Sequence, residues 1–503
     1  MPTAPPARAH GPTRASPRPL DAARVVPCDL PDGSSRQSPR GSLMGDADLV
    51  VVSNRGPLSF NLDEQGDPVR GSSAGGLAST LGPLLAGSGA TWIAAAMSEA
   101  DRRANQLGLM EPDGIRLVTV EPSQSVYRMA YDVIANSTLW FIHHHLFDLP
   151  RRPRIDGRWH EAWQAFRTYS EIFADAVIAQ AGPGATVLLQ DYHLSLVPAM
   201  VSRKRPDLRV VHFTHTPFAD PAALRVLPDG AAQELLAAMA GGACGFHAER
   251  WRAAFLACCE EAGVPAPATF VSALSPDAAG LLAEAESPGY ARAAHELDDL
   301  VGSRRLVVRV DRVEPSKNLV RGFLAYDEML QRHPEWREQV VMLAFAYPSR
   351  QSLADYLAYG VEAEQAARRV NDTWGTRSWT PVVYRVADDR ARSMAALARY
   401  DVLLVNPIRD GLNLVAKEGP LVNTSGGVVA LSREAGAFEE LAPWTLEVNP
   451  FDISGTAEVL SAALALDDGE RRRRSVGLRD LIAKSHPRQW LDDQISAAAP
   501  TGW

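Results

Sequence analysis

The chain has 503 residues, 46% of them hydrophobic and 22% charged, with a formal charge of −9, which fits a water-soluble protein large enough to bury two domain cores. An acidic balance argues against a general nucleic-acid binder, which needs a basic excess or stripe. No apolar run approaches the roughly 20 residues of a membrane helix, and the N-terminus has no signal-peptide core, so a cytoplasmic protein without membrane contact is expected.

In chain order, residues 1–45 stand apart: six arginines, three aspartates and no lysine among many Pro, Ala and Ser. This composition predicts a disordered tail, a dispensable extension more readily than a polyanion-binding arm, and Met44 offers an alternative translation start to Met1. From residue 49 short apolar runs recur: "LVVVSN" at 49, "ATVLLQ" at 185, "LRVVHF" at 208, "RLVVRV" at 305, "QVVMLAFA" at 339, "DVLLVNP" at 401 and "GGVVALS" at 426. Such runs suit strands buried on both faces, and the Ala- and Leu-rich stretches between them suit covering helices. The alternation predicts an α/β fold with open, mostly parallel sheets, and the stretch at 274–300 is the candidate linker between the two strand sets. Cys28, Cys244, Cys258 and Cys259 have no ligand spacing and read as free thiols.

In such sheets ligands bind beyond the carboxyl ends of strands. There "RDGLNLVAKE" (409–418) follows the strand "DVLLVNP", so a helix beginning at Asn413 would offer free N–H groups to a phosphate. Asp410 then either caps that helix or accepts sugar hydroxyls, and Glu418 either reaches a ribose or lies on a solvated face. "VRVDRVEPSKNLVRGF" (308–323) places Arg312 and Lys317 at another strand end, where two cations can neutralise a diphosphate. Neither GxxxxGK[ST] nor GxGxxG is present. In the N-terminal half Asp191 and His215 follow two strands and can grip sugar hydroxyls, with His193 ranked below them.

The ordered set "VVSNR…SAGGL", "NSTLW", "QDYHLSLVP", "HFTHTPF", "GFHAERW", "VDRVEPSKN", "IRDGLNLVAKE" and "REAGAFEEL…VNPFD" resembles the trehalose-6-phosphate synthase family of retaining glycosyltransferases, from about residue 48 to about 490. The resemblance implies a GT-B fold, two Rossmann-like doubly wound domains facing across a cleft, with no metal required. It divides the chain into an acceptor domain at 46–270, a donor domain at 271–478, and a C-terminal helix at 479–503 that packs back on the N-terminal domain.

By the same resemblance Arg312 and Lys317 bind the donor diphosphate, and Glu418 the ribose. Asp410 with Gly411, Leu412, Asn413, Leu414 and Val415 holds the donor sugar and phosphate, and Gly75 and Gly76 close over the donor. Asp191 and His215 contact the transferred hexose. Arg55, Tyr131, Trp140 and Arg350 bind the acceptor sugar phosphate.

The implied reaction moves glucose from UDP-, GDP- or ADP-glucose, as co-substrate, to glucose 6-phosphate. Ala95 in "TWIAAAMSE" and the segment around "YDVIANSTLWFIHHHLFD" depart from the family wording on the acceptor side. Glycerol phosphate or a cyclitol phosphate therefore remain alternative acceptors, and a non-catalytic sugar-phosphate-binding regulator remains the other class. The base pocket is expected near "YRVADD" (384–389), and oligomeric state, a homo-oligomer included, stays open. "HHH" (143–145) has no ligand partners at metal-binding spacing, "NST" at Asn136 is a glycosylation sequon only in a secreted chain, and "ERRRRS" (470–475) reads as a solvated helix face.

Overall fold

Strands buried on both faces need helices above and below them, and this chain meets that requirement twice. The computed structural model describes residues 24–26, 47–71, 75–107 and 114–498. The first sheet has the spatial order Arg24–Val26, Arg116–Glu121, Thr91–Ala95, Ala47–Val52, Ala181–Gln190, Arg209–Thr214, Ala243–Phe246, Thr269–Val271. Within it only Arg24–Val26 runs antiparallel, against Thr119, Val120 and Glu121 at the edge. These three residues fall inside the segment expected to be disordered, and the rest of that segment lies outside the described residues. The second sheet is parallel throughout, in the order Val382–Val386, Val340–Tyr347, Arg305–Arg312, Val402–Val405, Val428–Ser432, Leu446–Val448.

Counted from Ala47, each sheet places its first and fourth strands side by side and builds outward from that pair. The strand order reverses there, leaving a crevice beyond the carboxyl ends where loops can receive a ligand. In the first sheet the crevice lies after Val52 and Gln190, in the second after Arg312 and Val405.

The stretch at 274–300 is more than a linker. It carries helices Ala278–Glu284 and Pro288–Val301, the second started by the Ser287 hydroxyl accepting from the Tyr290 amide at 3.2 Å. Leu297 and Val301, one turn apart, bury themselves in the core. The run at 470–475 is not wholly solvated either. Arg471 is 4% exposed and pairs with Asp401 at 2.8 Å, while Arg473 and Arg474 close on Glu470 at 2.6 and 2.7 Å.

Residues Met129–Leu139 form a π-helix, and the side chains explain its wide turns. Asn136 Nδ2 donates to the Tyr131 carbonyl at 3.0 Å and Thr138 Oγ1 to the Val133 carbonyl at 2.8 Å, each five residues back. Asn136 is fully buried and its Oδ1 accepts from the Tyr192 hydroxyl at 2.7 Å, so the sequon serves packing.

Cys244, Cys258 and Cys259 are free and buried, and Cys28 lies outside the described residues. Among the described residues no helix is long and apolar enough to cross a membrane.

The final helix, Pro487–Ala497, lies on the first sheet. Its Trp490 is 1% exposed with its ring edge-on to Phe213 at 5.2 Å, and Asp493 accepts from the Ser272 hydroxyl at 2.7 Å. Trp490→Ala should therefore lower unfolding free energy by about 3–5 kcal/mol, read by denaturant titration, because the emptied socket lies under the sheet and cannot collapse freely.

Candidate active site

The turn after Arg305–Arg312 is fixed from below. Arg309 is wholly buried, pairs with Asp311 at 2.9 Å and donates to the Lys317 carbonyl at 2.9 Å. Asn318 closes the turn at φ 59°, its Nδ2 donating to the carbonyls of Asn406 and Pro450 at 3.0 and 2.8 Å. Lys317 is thereby aimed at the neighbouring strand end, where its Nζ meets Asp410 Oδ2 at 2.5 Å. Burial pushes the Asp410 carboxyl up, but Lys317, His144 and the Asn413 amide outweigh it and hold the group below its usual range.

Asp410 is not the cap of the following helix. That helix spans Val415–Val422, and Asn413, turned to φ 77°, accepts from the Ala416 amide at 3.2 Å while donating to Asp410 at 3.1 Å. Asp410 is held by Lys317 and accepts only a long bond from the Leu412 amide at 3.4 Å, while Asn413, a short polar residue, tolerates the left-handed turn. Leu412 is buried, while Leu414 and Val415 are partly buried against the core. Glu418 is 16% exposed and lies 3.5 Å from Arg390, which also holds Glu284 at 2.9 Å.

Gly411 has a positional reason. A Cβ there would stand 1.8 Å from the His215 carbonyl oxygen, and its own carbonyl accepts from Trp251 Nε1 at 2.9 Å. Only glycine lets the donor-side loop touch the first domain this closely.

Across the cleft Asp191 sits at φ 73° after its strand, and its Oδ1 accepts from the His215 amide at 3.1 Å. Burial raises its carboxyl from 3.8 to about 6 against the pull of the Tyr192 and His215 amides and Arg350. The imidazole of His215 is occupied on both sides: Nε2 lies 2.9 Å from Gln190 Oε1 and Nδ1 3.0 Å from His247 Nε2. Donation to Gln190 fixes the tautomer, so Nδ1 accepts from His247, whose own Nδ1 accepts from the Leu274 amide at 3.4 Å. Burial with His247 and His212 nearby keeps this ring neutral, well below the usual histidine range. His193 stacks on Tyr131, centroids 5.5 Å apart, and burial drops it to about 3.

Arg350 is held from several sides. Its Nη1 donates to Glu314 at 2.8 Å and to the Tyr356 hydroxyl at 2.9 Å, and its Nη2 to the Tyr192 hydroxyl at 3.2 Å. Its guanidinium lies 5.2 Å from the Trp140 ring centre and 5.3 Å from that of Tyr356, so both domains clasp it. Trp140 is itself 2% exposed, a wall of this socket. Arg312 is 55% exposed and meets Glu314 through Nε at 3.3 Å. Burial would raise the Glu314 carboxyl, but Arg312, Arg350 and Lys317 bring it to about 2.

The structure thus joins Lys317 with Asp410, and Arg312 with Arg350 through Glu314. Arg55 stays exposed on the loop after Ala47–Val52, and Gly75 and Gly76 open the helix Gly75–Leu85. Ala95 is buried at its strand end, its amide donating to the Asn54 carbonyl at 3.1 Å. The three histidines at 143–145 serve separately: His143 accepts from the Ala219 amide at 3.2 Å, His144 bonds the Trp140 carbonyl at 2.7 Å, and His145 meets Arg409 at 2.8 Å. Among the described residues no three His, Cys, Asp or Glu side chains converge as metal ligands would. Sequence reasoning passed over Glu314, Tyr192 and Tyr356. Glu314 stood in plain view inside "VDRVEPSKN", whereas nothing local marked the tyrosines.

The raised Asp191 carboxyl carries a stability consequence. Its folded-state value near 6 lies above the unfolded 3.8, so the folded form gains from protonation below about pH 4 and loses that gain as pH rises through 6. Asp191→Asn, which mimics the neutral acid, should melt higher than the parent near neutral pH, with the difference vanishing toward pH 4 in a thermal-melt series.

Comparison with known proteins places the chain. The sequence profile of Glycosyltransferase family 20 matches residues 47–499. A bifunctional trehalose-6-phosphate synthase/phosphatase of Thermoproteus tenax is 30% identical over 467 residues, 89% of this chain but 63% of that protein, so this chain spans less than two thirds of its length. The trehalose-6-phosphate synthase of Mycobacterium sp. (strain JLS) is 30% identical over 484 residues, 91% of this chain and 97% of that one. A solved E. coli structure bound with UDP-2-fluoro glucose is 26% identical, covers 90% of this chain and 98% of its own, and has a TM-score of 0.76. The two facing Rossmann-like domains are the GT-B arrangement. Because the profile takes in both sheets and the loops on either side of the cleft, the chain belongs to glycosyltransferase family 20.

Proposed function

We propose that the chain transfers glucose, with retention, from UDP-glucose to glucose 6-phosphate and releases trehalose 6-phosphate. The observation that carries this reading is the convergence of Arg312, Lys317 and Asp410 at one strand-order reversal, facing an arginine clasped by aromatic rings from both domains. Phosphate-binding cations on the donor side and a second cation in an aromatic socket suit two phosphorylated sugars held face to face. UDP is the donor nucleotide we favour, since the E. coli relative was solved with a UDP-sugar bound.

In this reading Arg312 and Lys317 hold the diphosphate, the 411–415 backbone and Asp410 hold the sugar and phosphate, and Glu418 takes the ribose. Gly75 and Gly76 close over the donor. Asp191 and the His215 segment bound the transferred hexose, and Arg55, Tyr131, Trp140 and Arg350 bound the acceptor. Charge on the departing diphosphate is the barrier these cations lower. Its oxygen accepts the proton of the attacking hydroxyl on the same face, so Asp410 can stay committed to Lys317 and no protein nucleophile is required. Action in the cytoplasm, where the three described cysteines remain thiols, accompanies the proposal.

The decisive experiment is release of nucleoside diphosphate by the purified protein, with UDP-, GDP- and ADP-glucose each crossed against glucose 6-phosphate, glycerol 3-phosphate and a cyclitol 7-phosphate. Turnover with UDP-glucose and glucose 6-phosphate is expected. Turnover with another acceptor alone would move the chemistry, and silence throughout would favour a binding protein. Arg312→Ala should cut kcat/KM by about 100-fold or more with little change in melting temperature, because the side chain is largely exposed. Lys317→Ala should cut both, since it strands Asp410. A rate within a few-fold of the parent in both variants would reject the donor-phosphate assignment.

A further inference from the structure

Glu314, a residue with no ligand assigned to it, stands between two arginines that have one each. One of its oxygens, Oε1, accepts from Arg350 Nη1 at 2.8 Å and from the Ser349 hydroxyl at 2.7 Å, and lies 3.3 Å from Arg312 Nε in an ion pair. The carboxylate is 1% exposed, so its negative charge is directed at those partners and not at water. Arg350 adopts φ 41°, a backbone region a non-glycine residue occupies only when its surroundings hold it there. The two arginines fall on opposite sides of the proposed reaction: Arg312 toward the donor diphosphate, Arg350 toward the acceptor phosphate.

We propose that Glu314 is a positioning residue that couples donor and acceptor binding, the shared carboxylate oxygen transmitting the ordering of Arg312 to Arg350. Arg312, more than half exposed, is fixed from one side only until a diphosphate fixes it from the other. Once it is held, Glu314 and the guanidinium of Arg350 are held with it, and part of the ordering cost of the acceptor site is met before the acceptor arrives. Linkage makes the effect reciprocal: each ligand tightens the other by the same factor.

This inference rests on the proposed donor and acceptor assignments, and titration calorimetry separates the two. Glucose 6-phosphate is titrated into the parent and into Glu314→Gln, with and without saturating UDP. The parent should bind glucose 6-phosphate at least about fivefold more tightly when UDP is present, and in Glu314→Gln that factor should fall to within about twofold of unity while each ligand still binds alone. Equal coupling in the two proteins, or a parent that binds both ligands independently, overturns the inference and leaves the proposed function standing. A parent that binds neither ligand overturns both. Should Glu314→Gln not fold, Glu314→Asp keeps the charge but is one methylene too short to reach both guanidinium groups. Its coupling should also fall, and parent-like coupling there would overturn the proposal. A lowered melting temperature with coupling intact would show Glu314 to be a structural counter-ion only.

Discussion

A charge removed from water must find a partner, and that rule organises the cleft of this protein. Lys317 and Asp410 are about one-seventh exposed and meet at 2.5 Å, while Glu314, almost wholly enclosed, is ringed by Arg312, Arg350 and Lys317. Two of these pairs, Lys317 with Asp410 and Glu314 with Arg350, join groups far apart in the chain but adjacent beyond the strand ends of the second sheet. The fold brings them there because its first and fourth strands are neighbours. A phosphate entering the cleft therefore meets cations already oriented by carboxylates, and little reorganisation is left for the moment of reaction.

Contact between the domains depends on equally local chemistry. Gly411 places its backbone against His215, and Arg409 reaches across to the Phe218 carbonyl at 3.2 Å with its guanidinium 4.8 Å from the Trp251 ring centre. Burial lowers Arg409 to about 10, which still leaves it charged at neutral pH. Arg250 adds Glu439 at 2.9 Å and the Arg433 carbonyl at 2.6 Å. From the other side the final helix supports the His215 loop, since Gln494 Oε1 accepts from Gln190, whose own side-chain carbonyl fixes the His215 ring. The His215 imidazole thus belongs to a chain of hydrogen bonds running from Leu274 to the C-terminal helix, and it is this chain that sets where the loop stands.

Sequence revealed what depends on periodicity and local order. All seven apolar runs became strands, because Val, Leu and Ile in continuous stretches have few other ways to be buried. Strands such as Thr91–Ala95 and Ala243–Phe246 escaped, being too short to show a clear run, and the second also carries Ala and Gly, which have weak strand preference. The motif loops could be placed at strand ends, but not their internal pairing. The cap reading open for Asp410 rested on proximity in sequence, yet a lysine 93 positions away holds it instead. Glu314 was visible as a residue and invisible as a hub, since its importance comes from Arg350, 36 positions further along. The triple histidine and the sequon show the converse: sequence patterns suggesting ligands or modification that the fold spends on packing and hydrogen bonds.

Two carboxylates border the cleft, and their environments drive them apart. Asp410 is held ionised by Lys317, whereas Asp191, given backbone amides and only a more distant arginine, is raised to about 6. A double displacement needs one carboxylate free to attack and another to donate a proton across the bond. Here the first is tied to a cation and the second is anchored to the His215 amide. Their arrangement instead suits holding: Asp410 keeps Lys317 in place, and Asp191 keeps a carboxylate at the cleft at a cost to stability, the mark of a candidate functional site.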